Sequence, residues 1–163
     1  MRRRAIPPHV WFSAYLATYV ERDVRSLLQV RDLDHFHRFV LMCAARSGQL
    51  LNLSALAADC GITHNTVHAW IGVLAASYIA TRLTPFHRNF GKRLTKTPKL
   101  YLLDSGLAAW LAGVRSAPEL VVGSLRGPLF ETRVVSELLK RRRNGLRPEE
   151  LHFWRDSAGN EVD

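Results

Sequence analysis

Apolar residues recur at helical spacing along the first half of the chain. Phe12, Tyr15, Leu16, Tyr19, Val20, Val24, Leu27 and Leu28 predict an amphipathic helix from Trp11 to Val30. Phe36, Phe39, Val40 and Cys43 mark a second helix over Leu33 to Arg46, which Ser47-Gly48 ends. Leu56, Ala57 and Cys60 predict a short helix capped by Ser54, and Gly61 breaks it in a tight turn. Thr63 caps the next helix, which runs to about Ser77. Its Val67, Trp70, Ile71 and Leu74 fall at i, i+3, i+4 and i+7 and share one buried face.

From Tyr78 the helical period is lost. Tyr78 to Leu83 reads as a strand, Pro85 to Lys96 as a turn-rich basic connection, and Lys99 to Leu103 as the returning strand. Asp104-Ser105-Gly106 punctuates its end. Helix, turn, helix and β-hairpin in this order predict a winged helix-turn-helix. A short helix, Leu107 to Leu111, closes at Gly113, and Arg115 to Arg126 reads as a loop without period. Gly127 to Arg143 is a long helix with Phe130, Val134 and Leu138 beside Val135 and Leu139 as its apolar stripe. Leu151 to Arg155 and Glu161 to Asp163 are strands around a turn at Ser157 to Asn160. The predicted layout is a flexible start at 1–10, a helical and winged-helix domain at 11–113, a linker at 114–126 and a second module at 127–163. A hairpin that stops inside its second strand is expected to belong to a longer protein.

Composition narrows the function. With 47% hydrophobic residues, the 163-residue chain can bury a core, and it is not of disordered type. No run of about 18 apolar residues predicts a membrane span. Cys43 and Cys60 sit at apolar helical positions and read as reduced core residues of a cytoplasmic protein. The net charge is +9, and residues 51–100 hold six Lys or Arg against one acid, Asp59. A basic patch there favours a polyanion, most simply double-stranded DNA, although solubility alone also explains positive charge.

Between Thr63 and Ser77 there is no Lys or Arg. The outward positions are Asn65, His68, Ala69 and Gly72; Asn65 can read an adenine edge and Ala69 a thymine methyl. The cations Arg88, Lys92, Arg93 and Lys96 lie in the expected wing and suit phosphate rather than bases. The same small, weakly charged helix face also suits docking of a protein partner. His64 and His68 have the i, i+4 spacing of a zinc pair, but no third ligand is in sight, so polar surface is the expected role. Lys140-Arg141-Arg142-Arg143 either meets phosphate or complements the C-terminus of its helix.

Several segments carry a resemblance: YLATYVERDVRSLLQVRDL (15–33), AARSGQLLNLSALAADCGITHNTV (44–67), FHRNFGKRLTKTPKLYLLDSGLAAWLAG (86–113), GPLFETRVVSELLK (127–140) and FWRDSAGNEVD (153–163). Together they resemble the C-terminal region of a widespread prokaryotic family of AAA+ ATPases, known as domain of unknown function 4143. The resemblance spans residues 11–163. It implies a mainly α chain with a small β-hairpin, in which the winged helix is followed by the truncated start of a restriction-endonuclease-like α/β module. It also implies a partner, either an ATPase domain or a sister subunit. ATP and Mg²⁺ belong to the family's ATPase domain. Here Gly91-Lys92 has Phe86 where the first P-loop glycine would stand and Arg93 where Ser or Thr would, so no cofactor is expected in this chain. Within the nuclease-like module, Glu131 matches the helix glutamate and Asp163 the strand aspartate, residues that hold Mg²⁺ in such folds. Glu131 also reads as an exposed first-turn glutamate favoured by the helix dipole. The strand with Glu-x-Lys has no counterpart here, so the chain is expected to be a non-catalytic binding region, or else a remnant of a metal-dependent nuclease.

Overall fold

The computed structural model describes residues 6–20, 22, 33–86, 96–145, 151–156 and 159–162. The first helix, α1, spans Pro8–Tyr15 and begins one turn before the apolar period does. Pro8 starts it because a first-turn proline gives up no hydrogen bond. The chain then passes into a single π-helical turn, Leu16–Val20. The rest of the predicted first helix, but for Arg22, lies outside the described residues.

Helix α2 (Leu33–Ala45) buries Phe36, Phe39, Val40, Cys43 and Ala44. After a two-residue strand, β1 (Gln49–Leu50), come α3 (Leu53–Cys60) and α4 (His64–Ala76). The cap of α3 is Asn52, not the expected Ser54. Asn52 has an extended backbone and its side chain accepts the N–H of Ala55 at 2.9 Å, whereas Ser54 is already the second helical residue. Gly61 has φ +68 and directs its N–H to the carbonyls of Ala57 and Ala58, which turns the chain between the helices. Thr63 caps α4 as expected, accepting from the N–H of Thr66. Val67, Trp70, Ile71 and Leu74 are all buried. The Trp70 ring meets Phe36 and Phe39 edge-on, at 5.2 and 5.3 Å between centroids, so α2 and α4 share one aromatic core.

The strand after α4 is β2 (Ala80–Pro85), two residues later than its predicted start. Tyr78 is still part of the helix end. Its φ is +56, and the next N–H, that of Ile79, reaches back to the carbonyl of Leu74. Strand β3 (Lys99–Leu102) returns antiparallel to β2, pairing Ala80 with Leu102 and Leu83 with Lys99. Helix α5 (Ser105–Leu111) is capped by Asp104. The predicted loop that follows contains a helix, α6 (Ala117–Val122). A reciprocal capping box between Ser116 and Glu119 starts it, and Ser116-Ala117-Pro118-Glu119 carries that signature in the sequence.

The long helix α7 (Arg126–Asn144) is rotated relative to the expected stripe. Its buried residues are Leu129, Thr132, Val135 and Ser136, while Phe130, Val134 and Leu138 face outward. Two hydroxyls explain the rotation. Thr132 Oγ1 lies 2.8 Å from Ser47 Oγ, and Ser136 Oγ donates to the carbonyl of Leu103. The helix docks through a mixed polar and apolar seam, and counting apolar residues alone selects a neighbouring face.

Strands β4 (His152–Arg155) and β5 (Glu161–Val162) form the last hairpin. They complete one five-stranded sheet in the order β1-β3-β2-β4-β5. Its β2–β4 step is parallel and pairs Thr84 with His152 and Pro85 with Phe153; the other steps are antiparallel. A second small core of Leu83, Tyr101, Val135 and Phe153 lies where α7 covers this sheet. No helix among the described residues is long and apolar enough to cross a membrane.

Candidate functional site

Two regions hold the residues that the sequence brings forward. The first is the outer side of α4. Because Val67, Trp70, Ile71 and Leu74 are turned inward, Asn65, His68, Ala69 and Gly72 are exposed together, and His64 is exposed beside them. The hairpin follows the same helix, with Arg82 exposed on β2 and Lys96 exposed before β3. Arg88, Lys92 and Arg93 lie outside the described residues.

The second region is built around Lys99, at the start of β3. Its side chain is 2% exposed. Lys99 Nζ donates to Glu131 Oε1 at 2.9 Å and also to Glu161 of β5. The hydroxyl of Tyr101, two residues along β3 on the same face, donates to Glu131 Oε1 as well. Arg155 on β4 donates to the other carboxylate oxygen of Glu161 at 2.8 Å. The ammonium stands 5.4 Å from the centre of the Phe153 ring. Gly48 lies beside the cluster, and its φ of +86 is a conformation glycine adopts freely.

Glu131 is therefore not a first-turn glutamate. The helix begins at Arg126, so Glu131 stands in its second turn, half-buried against a lysine from a different element. Asp163 lies outside the described residues. Glu161, two positions earlier, is described and belongs to β5. Sequence reading missed Lys99, Tyr101, Arg155 and Glu161. Their signal was weak: a Lys-x-Tyr repeat at one strand face, inside a stretch that reads as a basic wing.

This cluster is organised for mutual neutralisation. Two carboxylates face one buried ammonium and one guanidinium, and Tyr101 takes part of the remaining acceptor capacity of Glu131. Lys99 is the partner that both carboxylates share, so removing it would leave Glu131 with the Tyr101 hydroxyl and Glu161 with Arg155. No group of three or more His, Cys, Asp or Glu among the described residues could hold a metal ion. Cys43 and Cys60 are buried free thiols, and burial pushes both up from the ordinary thiol range.

In class, the chain is mainly helical, with a mixed five-stranded sheet that joins its two hairpins. It belongs to the family described as Domain of unknown function (DUF8612), whose model matches residues 2–117. A second model, described as Domain of unknown function (DUF4143), matches residues 126–163. The resemblance to the latter is thus shown for the C-terminal part, from α7 onward. Two relatives are the uncharacterized proteins Rv2008c of Mycobacterium tuberculosis and Mb2031c of Mycobacterium bovis. Each is 29% identical over 153 residues, which is 94% of this chain and 34% of the relative. The chain therefore spans about a third of the length of the curated relatives it matches. No solved structure matches it.

Proposed function

We propose that this chain is a non-catalytic, DNA-contacting region of a larger protein: a winged helix whose α4 faces the duplex and whose basic hairpin grips phosphate. One observation carries the reading. Helix α4 buries its apolar side completely and leaves Asn65, His68, Ala69 and Gly72 exposed, directly ahead of a hairpin with exposed cations at Arg82 and Lys96. Small side chains allow the helix to approach a groove, and the hairpin cations supply affinity without reading sequence. Binding of this kind is weak, non-specific and salt-dependent. The resemblance to the AAA+ family suggests that the region serves an ATPase as an accessory.

The Lys99 cluster supports the non-catalytic part of the proposal. Glu131 and Glu161 are committed to Lys99, Tyr101 and Arg155, so they meet protein cations where a metal-dependent nuclease would present carboxylates to Mg²⁺. On this reading the nuclease-like module is a remnant that has become structural. A second reading, docking on an ATPase domain or sister subunit, is favoured by the exposed Phe130, Val134 and Leu138 on α7.

Gel shifts on a generic duplex test the two. Replacing Arg88, Lys92, Arg93 and Lys96 with Ala should abolish binding, and Asn65→Ala with His68→Ala should weaken it only slightly. If the helix pair loses binding and the hairpin set keeps it, the assignment of roles is reversed. If the parent chain does not bind at low salt, the docking reading takes over.

A further inference from the structure

At the end of α4 remote from Asn65, Tyr78 stands in the left-handed backbone region, φ +56. A bulky residue is strained there, and glycine would close the helix without strain. The tyrosine does not repay this by packing in the core, because 67% of it is exposed. Strain kept at an exposed aromatic points to a use for the ring.

The surroundings of Tyr78 suggest that use. Its ring lies 4.9 Å from the guanidinium carbon of Arg143, at the end of α7. Both line a cavity of about 380 Å³ that Lys140 and Trp11 also border, with Ile79 and Leu107 among its apolar walls. Trp11 is 49% exposed and stacked on Tyr15, with ring centroids 5.2 Å apart and planes 5° apart. Asp104, which also borders the cavity, is occupied as the cap of α5, accepting the N–H of Leu107. Lys140 shares an exposed pair with Glu137, an interaction that a phosphate can displace. Flat, exposed aromatic faces beside two cations are the elements that stack a nucleobase and hold its phosphate.

We propose that this cavity binds a nucleoside phosphate, with its base stacked on Trp11 or Tyr78 and its phosphate held by Lys140 and Arg143. The source is either a free nucleotide or one residue of a single strand. The site is distinct from the duplex contact proposed for α4: Asn65 lies at the other end of the 13-residue helix, roughly 20 Å along its axis from Tyr78.

Calorimetric titration with adenosine monophosphate, and anisotropy with a labelled ten-residue oligothymidylate, test the proposal on the full chain. Saturable binding of either probe is expected. Tyr78→Gly and Arg143→Gln should each weaken it by about tenfold. Tyr78→Gly relieves the backbone, so its melting temperature should be equal to or above that of the parent, which separates lost binding from lost folding. Binding of the mononucleotide alone supports the free-nucleotide source, and tighter binding of the oligonucleotide supports the strand. The proposal is overturned if neither probe binds, if both variants bind like the parent, or if inorganic phosphate competes as well as the mononucleotide does.

Discussion

Lys96 and Lys99 stand three residues apart at the edge of the same hairpin, in opposite surroundings. Lys96 is exposed, ahead of β3. Lys99 is buried under α7 with two carboxylates and a phenol. The first kind of charge keeps its hydration and adds little to folding. The second has lost its water, so its environment must replace that hydration with fixed partners. The comparison teaches that the basic character of this stretch is not one property. One lysine is available for binding, while the other fastens β3 to α7 and β5.

Breaking the buried side of the comparison should have the largest effect. Lys99→Ala leaves Glu131 and Glu161 facing each other, and should cost about 3–5 kcal/mol in a denaturation experiment. Lys96→Ala should stay within about 0.5 kcal/mol. Equal costs would erase the distinction. Leu74→Ala, on the buried face of α4, should cost about 2–5 kcal/mol through the cavity it creates. An unchanged midpoint would mean that this face is a surface. Asn52→Ala should cost about 1 kcal/mol as a lost cap, and Ser54→Ala much less; the reverse order would restore Ser54 as the cap.

The smallest effect concerns the thiols. Cys43 and Cys60 are buried, and burial pushes both thiols up from the ordinary range, which disfavours the reactive thiolate. A thiol-disulfide reagent at pH 8 should label neither until denaturant is added. Rapid labelling of the native chain would show that the core around α2 and α3 is open.

Helical periodicity made much of the fold legible. Val67, Trp70, Ile71 and Leu74 were assigned to one buried face, and that face is buried. Gly61 and Thr63 were read correctly because each acts through its own local backbone chemistry. The misreadings of α7 and of the sheet come from partners remote in sequence. The orientation of α7 depends on Ser47, 85 residues before Thr132, and on the carbonyl of Leu103, just after β3. The parallel step from β2 to β4 joins Thr84 to His152, and no local pattern announces it. The same holds for the candidate site. The exposure of Asn65 and His68 was legible because it follows from the helix period. Lys99, Tyr101 and Glu161 were missed because their significance comes from where the sheet brings them. The start of β2 was misjudged for a local reason: Tyr78 occupies a position where a glycine would have marked the helix end.

The salt dependence of duplex binding tests the central claim most directly. The logarithm of the binding constant should fall linearly with the logarithm of salt concentration, with a slope of about −0.9 per phosphate neutralised. Replacing Arg88, Lys92 and Arg93 with Ala should make that slope shallower by up to about three such steps, while Asn65→Ala with His68→Ala should leave it unchanged. A slope that stays the same in the hairpin variant, or one that flattens in the helix variant, would contradict the account.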